Sequence, residues 1–360
     1  MCRLPRLDAG RHARFRPPLV SCKSSLGPVL ALFLAGCAAV DAQHRTAPPA
    51  RADERRTGRT NATTGVVART GISVDGVVGG DDGFALWSAD GRVEIRDLEG
   101  ALVRTTATGL QGLAEVTPTR GGWLARGSSF QGQAELGAIA LVGSAGNVSS
   151  VWTTPGIFWS VASNGMVRIA TDHLGNLFTL AERLLPLQPP HTAALHPPFQ
   201  LRFWDRELVM CTTGSRRLAQ QPTATCVRDS QPLIQGIWQV APIACDTGLV
   251  ADVQQDGRAT SPWTRAVWDA KTGSLITRKP IATPSAALVC TGATTLVDTS
   301  PPGHVLELPS LTALGESLCP AATTRHLGVT HDRILCVDVD GSIGVRELVR
   351  NAAQPQTGRP

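Results

Sequence analysis

Cysteines are the side chains in this 360-residue sequence whose spacing could do the most. Six of the nine, Cys211, Cys226, Cys245, Cys290, Cys319 and Cys336, lie in the C-terminal part of the chain. There is no Cys-x-x-Cys and no Cys/His cluster at ligand spacing, so a zinc site is not expected. An even set in an exported chain points to disulfides instead, and six cysteines allow 15 pairings. The spacings suggest Cys211–Cys226, Cys245–Cys290 and Cys319–Cys336. The first and third would lie inside hairpins, and the second would have to cross between structural units. A loop near 15 residues would contribute about 3 kcal/mol.

Other constellations are weaker. Asp338-Val339-Asp340-Gly341 resembles part of a calcium loop, but the remaining ligands are missing and a hairpin turn explains it. Gly79-Gly80-Asp81-Asp82-Gly83 reads as a turn between strands. His191 and His196 sit five apart in a Pro-rich stretch, Pro189 to Pro198, where no helix can form. That stretch reads as a surface loop, and as a long irregular insertion it is a candidate binding loop. No Gly-x-Ser-x-Gly, phosphate loop, dinucleotide fingerprint or His-Glu-x-x-His occurs. No catalytic residue, metal or cofactor is assigned.

The N-terminus carries an address. Arg3, Arg6, Arg11, Arg14, Arg16 and Lys23 stand against one acid, Asp8, and precede an apolar run from Leu26 to Ala35. The run is about ten residues, against about 20 for a membrane-spanning helix, and matches a secretory signal. It ends at Leu34-Ala35-Gly36-Cys37, which is similar to the lipobox of bacterial lipoproteins. The resemblance implies cleavage between Gly36 and Cys37 and acylation of Cys37, with palmitate among the chains. Several acyl chains hold a protein without a spanning helix, at about 0.8 kcal/mol per buried methylene. Ala38 rather than Asp after the cysteine implies, by the same resemblance, the outer membrane, with the face of that membrane left open. A start near Leu19 or Val20, at a non-ATG codon, would leave a signal of more typical length.

Charge follows from this address. Residues 1–36 hold six of the 34 basic residues and one of the 29 acidic ones, which leaves 28 of each from Cys37 onward. The mature chain is neutral, and nucleic-acid binding is not expected. Residues 38–63, rich in Ala, Arg, Thr and Pro and without an aromatic residue, read with Cys37 as a flexible tether. Residues 351–360 read as a disordered tail. The expected organisation is therefore signal 1–36, acylated tether 37–63, folded domain 64–350 and tail 351–360.

Short strands and turns fill the folded domain. Phe84 to Trp87, a turn at Ser88-Ala89-Asp90-Gly91, Arg92 to Arg96 and a turn at Asp97-Leu98-Glu99-Gly100 show apolar alternation around glycine turns. The unit recurs around Ser144–Asn147, His173–Asn176, Ala270–Gly273 and Asp338–Gly341. The best helical stretch, Phe178 to Leu185, runs straight into Pro186. Unit starts fall near residues 75, 114, 158, 200, 238, 285 and 325, spaced by roughly 40, the period of a four-stranded propeller blade.

Val267-Trp268-Asp269-Ala270-Lys271-Thr272-Gly273 is similar to the strand-and-turn signature of WD40 and quinoprotein-like propellers, and Asp97-Leu98-Glu99-Gly100 echoes it. The resemblance implies an all-β propeller of about seven four-stranded blades. It also implies a sealed ring, in which Thr64 to Arg69 would pair with the C-terminal strand Ile343 to Val349. Eight Trp residues, Trp87, Trp123, Trp152, Trp159, Trp204, Trp238, Trp263 and Trp268, then read as packing between blades rather than as a platform for a quinone.

The functional expectation is a membrane-anchored, non-catalytic lipoprotein of the bacterial envelope. It would act as an interaction scaffold for a protein partner on a propeller face or loop. The alternative is an exported propeller enzyme of lactonase, lyase or quinone-dependent dehydrogenase type, which would need converging His, Asp and Glu side chains in the central channel.

Overall fold

The computed structural model describes residues 68–188, 198–204, 206–212, 224–228, 231–235, 243–245, 248–254, 262–269, 271–285 and 287–348. The signal, Cys37, the tether, the tail, Trp238 and residues 189–197 of the Pro-rich loop lie outside them.

Seven antiparallel four-stranded sheets follow one another around a ring. The first strand, β1 (Ala68–Arg69), stands apart from blade 1, which consists of β2 (Gly76–Gly79), β3 (Phe84–Trp87), β4 (Arg92–Arg96) and β5 (Leu102–Ala107). Blade 2 is β6 (Gln111–Thr119), β7 (Gly122–Gln131), β8 (Ala134–Gly143) and β9 (Val148–Thr154). Blade 3 is β10 (Phe158–Ser163), β11 (Arg168–Asp172), β12 (Leu177–Leu180) and β13 (Leu184–Leu187). Blade 4 is β14 (Phe199–Trp204), β15 (Glu207–Thr212), β16 (Ala224–Arg228) and β17 (Gln231–Gln235). Blade 5 is β18 (Ile243–Cys245), β19 (Gly248–Gln254), β20 (Trp263–Asp269) and β21 (Leu275–Ile281). Blade 6 is β22 (Leu288–Gly292), β23 (Thr295–Asp298), β24 (His304–Glu307) and β25 (Thr312–Ala313). Blade 7 is β26 (Thr324–Val329), β27 (Arg333–Asp338) and β28 (Ser342–Glu347), and β1 supplies its fourth strand.

Period-two alternation explains the ring. In a strand, successive side chains point to opposite faces. Leu249, Ala251 and Val253 of β19 pack on blade 4, while Val250 between them packs on blade 6. Trp123 and Ala125 of β7 meet blade 1, and Leu124 meets blade 3. Central strands buried on both faces therefore read as unbroken apolar runs such as Phe84-Ala85-Leu86. The buried apolar residues fall into seven clusters, one at each junction between neighbouring blades. Each fully buried Leu, Val or Phe contributes roughly 1.5–3 kcal/mol, and no blade could bury these faces alone.

The ring is sealed at Ala68 and Arg69 as the propeller resemblance implies, while residues 64–67 of the expected sealing strand lie outside the described residues. Ala68 pairs with Ile343 and Arg69 with Ser342. The seam also needs glycine: a Cβ on Gly79 would overlap the Val329 carbonyl, and one on Gly328 would overlap Val77, so only glycine lets β2 and β26 approach this closely. Among the described residues there is no helix. The stretch Phe178 to Leu185 belongs instead to the hairpin of β12 and β13, where Pro186 sits on the outer edge strand opposite Phe178. An edge position tolerates the missing amide hydrogen.

Candidate functional site

The cysteine pairs join as their spacing suggests. Cys211 and Cys226 are directly cross-strand neighbours of β15 and β16, 4.0 Å apart at Cα. Cys245 on β18 and Cys290 on β22 link blades 5 and 6 at a Cα separation of 5.6 Å. The third bridge, Cys319–Cys336 at 6.0 Å, is not confined to a hairpin. Cys319 lies in the connection preceding blade 7 and ties it to β27, skipping β26. Disulfides persist in oxidising compartments, so these bridges fit an envelope or extracellular location.

The acidic turns spend their carboxylates locally. Asp340 accepts hydrogen bonds from the Ser342 amide at 2.9 Å and its hydroxyl at 2.9 Å, and Asp338 accepts one from the Thr324 hydroxyl at 3.2 Å. Asp269 accepts from the Lys271 and Thr272 amides, and Asp97 from the Glu99 and Ala101 amides. These hydrogen bonds account for the Asp at the start of each turn. Asp81 and Asp82 stand exposed on the turn between β2 and β3. The first strands, which neighbour one another around the axis, carry Glu115, Arg202, Arg325 and His326 as their charged or titratable side chains among the described residues. Glu115 pairs with Arg126 at 3.2 Å, and His326 Nε2 lies 3.0 Å from the Val74 carbonyl oxygen. Burial, reinforced by Arg325, holds the His326 pKa below the usual histidine value.

Two buried ion-pair networks were not singled out from sequence. Arg96 donates to Glu94 at 2.7 and 3.2 Å, to the Gly100 carbonyl at 2.9 Å and to the Arg69 carbonyl of the sealing strand at 2.9 Å. Glu94 in turn accepts from the Gly71 amide at 2.5 Å. The second network joins blades 5 and 6. Arg265 meets Asp252 at 2.7 and 3.0 Å and Asp298 at 3.0 Å, and Ser285 bridges the two acids. Burial alone would raise the Asp298 pKa, but the Ser285 hydroxyl and the Arg265 guanidinium outweigh it and hold the pKa below the ordinary value. Both networks staple blades together. Their signal in the sequence is a charge at an inward-facing position of a central strand: Glu94 and Arg96 flank Ile95 between two packed faces.

Tryptophan follows the packing expectation at most described positions. Trp123, Trp152, Trp204 and Trp268 belong to inter-blade clusters, and Trp87 packs against one. Trp159 departs from it. The register of β10 shifts between Phe158 and Ser160, so Phe158 fills the junction and Trp159 is left 36% exposed.

Around Trp159 lies the most distinctive surface of the ring. The second and third strands of blade 2 run ten residues each, against four to seven in the other blades. Pairing with β6 ends at Ser128 and pairing with β9 ends at Gly137. Residues 129–136 therefore form a two-stranded ribbon that overhangs the blade by roughly 10 Å. The register of β7 is unbroken, so Phe130 shares the face of Leu124 and Arg126, which is turned toward blade 3. Arg126 confirms that direction by donating to the Phe158 carbonyl at 2.9 Å. Next to the ribbon, Gly137 abuts the backbone of Gly156 and Ile157, and the Ile157 carbonyl accepts from the His173 amide at 3.0 Å. Phe130, Ile157, Trp159 and Leu174 thus gather at one edge of blades 2 and 3, with exposures of 54%, 59%, 36% and 65%.

No protein-family model matches the chain, and no curated protein matches it. Solved structures do. The Mitotic Checkpoint Complex structure contains a chain that aligns with TM-score 0.54 at 12% identity, over 87% of this chain and 99% of that one. The Pan2 WD40 domain of Neurospora crassa aligns with TM-score 0.51 at 12% identity, over 76% and 88%. BamB from Moraxella catarrhalis aligns with TM-score 0.44 at 12% identity, over 78% and 99%. The first two likenesses are of fold, and they agree with the WD40-like propeller read from the strand-and-turn units.

Against that frame the overhanging ribbon of blade 2 is an addition to a regular plan. Sequence reading had a signal for it: Gly122 to Gly143 makes a hairpin of 22 residues, where Phe84 to Arg96 needs 13. It had none for bringing Phe130 to the same edge as Ile157, in the connection to blade 3, and Leu174, in the turn between β11 and β12.

Proposed function

We propose that this protein is an interaction scaffold of the bacterial envelope, non-catalytic and tethered to a membrane through lipid on Cys37. The observation that carries the scaffold reading is the cluster of Phe130, Ile157, Trp159 and Leu174 on the overhanging edge of blades 2 and 3. Four large apolar side chains, each at least a third exposed and gathered on one edge, are what a protein–protein contact uses as its anchors. The rigid ring supports them from below, and three disulfides support an oxidising location. The lipobox and the Ala-, Arg-, Thr- and Pro-rich stretch after it support the anchor, with processing between Gly36 and Cys37, tether 37–63 and tail 351–360.

The test uses a photo-crosslinking phenylalanine analogue at position 130 in cells, with a second placed at Leu275 on blade 5. A protein captured from 130 and not from 275 is the expected result. Equal capture from both positions, or none from 130, would overturn the scaffold reading. For the anchor, Cys37→Ser should release the protein from membranes or stop its processing; a processed, membrane-bound Cys37→Ser protein would refute it.

A further inference from the structure

The apolar cluster has a rim and a free backbone edge, and together they describe what it fits. The charged groups near the cluster include Glu115, Arg126, Glu135 and Asp172, with His173 beside them; the Asp172 carboxylate accepts from the Leu174 and Asn176 amides. Arg126 is 17% exposed and already engaged by Glu115 and the Phe158 carbonyl. Glu135 is directly opposite Phe130 in the ribbon, exposed, and forms no ion pair among the described residues. The surface thus offers apolar contact together with uncompensated negative charge. The ribbon adds a second element. Among the described residues, Ser129 to Gln131 and Ala134 to Leu136 pair only with one another, which leaves their outward amide and carbonyl groups to an added strand.

Resting on the scaffold reading, we infer that the edge of blades 2 and 3 receives an extended segment of a partner protein that carries apolar side chains and a Lys or Arg at every second position, together on one face. The segment lies along the blade-2 ribbon and takes up its free backbone groups, as in β-strand addition. On that face, set by the period of two, its apolar side chains cover Phe130, Ile157, Trp159 and Leu174, and its basic side chain meets Glu135, which shares the face of Phe130. An acidic segment would place like charges opposite one another, with no free cation among the described residues of this rim to compensate them.

The test uses the whole mature protein in detergent and two fluorescent ten-residue peptides. One carries Leu, Phe, Val and Arg at every second position with Thr between them; the other has Glu in place of Arg. The Arg peptide should bind at least about fivefold more tightly than the Glu peptide. Phe130→Ser and Leu174→Ser should each weaken it about tenfold, within the range of interface anchors. Glu135→Lys should erase or reverse the preference between the peptides while leaving the fold intact by circular dichroism. Hydrogen exchange at residues 129–136 should slow in the complex. Equal affinity for both peptides, binding indifferent to Phe130→Ser, or no binding would each overturn the inference. So would preferential Phe130-dependent binding to phosphatidylglycerol vesicles, which would make the edge a lipid contact. If a protein is still captured from position 130 while the peptides fail, the scaffold stands and only the chemistry of its partner is wrong.

Discussion

Replacing Arg96 by methionine should open the ring at its seam. Arg96 and Glu94 are 1% and 0% exposed at their side chains. The guanidinium holds Glu94, the Gly100 carbonyl and the Arg69 carbonyl, and without it the Glu94 carboxylate keeps the Gly71 amide as its remaining partner. Removing one member of a buried ion pair costs about 3–5 kcal/mol, because the other is left charged in a place water does not reach. At roughly 2–4 °C per kcal/mol for a large domain, the melting temperature should fall by about 6–20 °C. The double variant Glu94→Leu/Arg96→Met leaves no charge to desolvate. Its remaining deficit is three backbone groups at about 1 kcal/mol each, some of them recoverable by water, so it should regain at least about 1 kcal/mol over the single variant. Urea unfolding followed by tryptophan fluorescence gives both values. Hydrogen exchange shows where the opening starts: amides from Arg69 to Ile72 should lose protection before the blades do. A single variant within about 1 kcal/mol of the parent, or a double variant no better than the single, would refute the reasoning that this pair holds the sealing strand.

Three further outcomes are expected. Removing Cys245–Cys290, whose loop spans 45 residues, should destabilise by about 1 kcal/mol more than removing Cys211–Cys226, whose loop spans 15, on the chain-entropy scaling; paired Cys→Ser variants compared in urea check the order, and the reverse order contradicts it. Gly79→Ala should cost more than about 2 kcal/mol, because its Cβ would meet the Val329 carbonyl rather than a side chain that can move; a melting temperature equal to that of the parent would show that β2 and β26 are not packed as described. Because His326 binds its proton less readily in the folded ring than in the unfolded chain, its contribution to stability is complete above about pH 6.5 and lost as pH falls through its lowered folded value. The parent should therefore lose more melting temperature between pH 7.5 and 5 than His326→Gln does, and equal losses would remove His326 from the pH response.

Much of this architecture was legible in the order of residues. Strands opening at Gly76, Gln111, Phe158, Phe199, Ile243, Leu288 and Thr324 lie within five residues of the unit starts read from alternation and glycine turns. Alternation is a local property, set by which side chains face out of the pleat, so it survives in one dimension. The cysteine pairs were legible because the spacings 15 and 17 keep partners within a blade or its entry, and 45 is about one blade period. What the sequence could not express is which side chains from different blades stand together. Phe130 and Leu174 are 44 residues apart, and both look like ordinary strand and turn residues until the ring sets blade 3 against the ribbon of blade 2. Trp159 has the spacing of a packing residue and is turned outward by a one-residue shift in register. Glu94 and Arg96 carry charges that, by type alone, belong on the surface, yet the closing of the ring buries them beneath Arg69 and Gly71. In each case the deciding quantity is solvent exposure, which depends on the neighbouring blade and so exists only once the tertiary structure has formed.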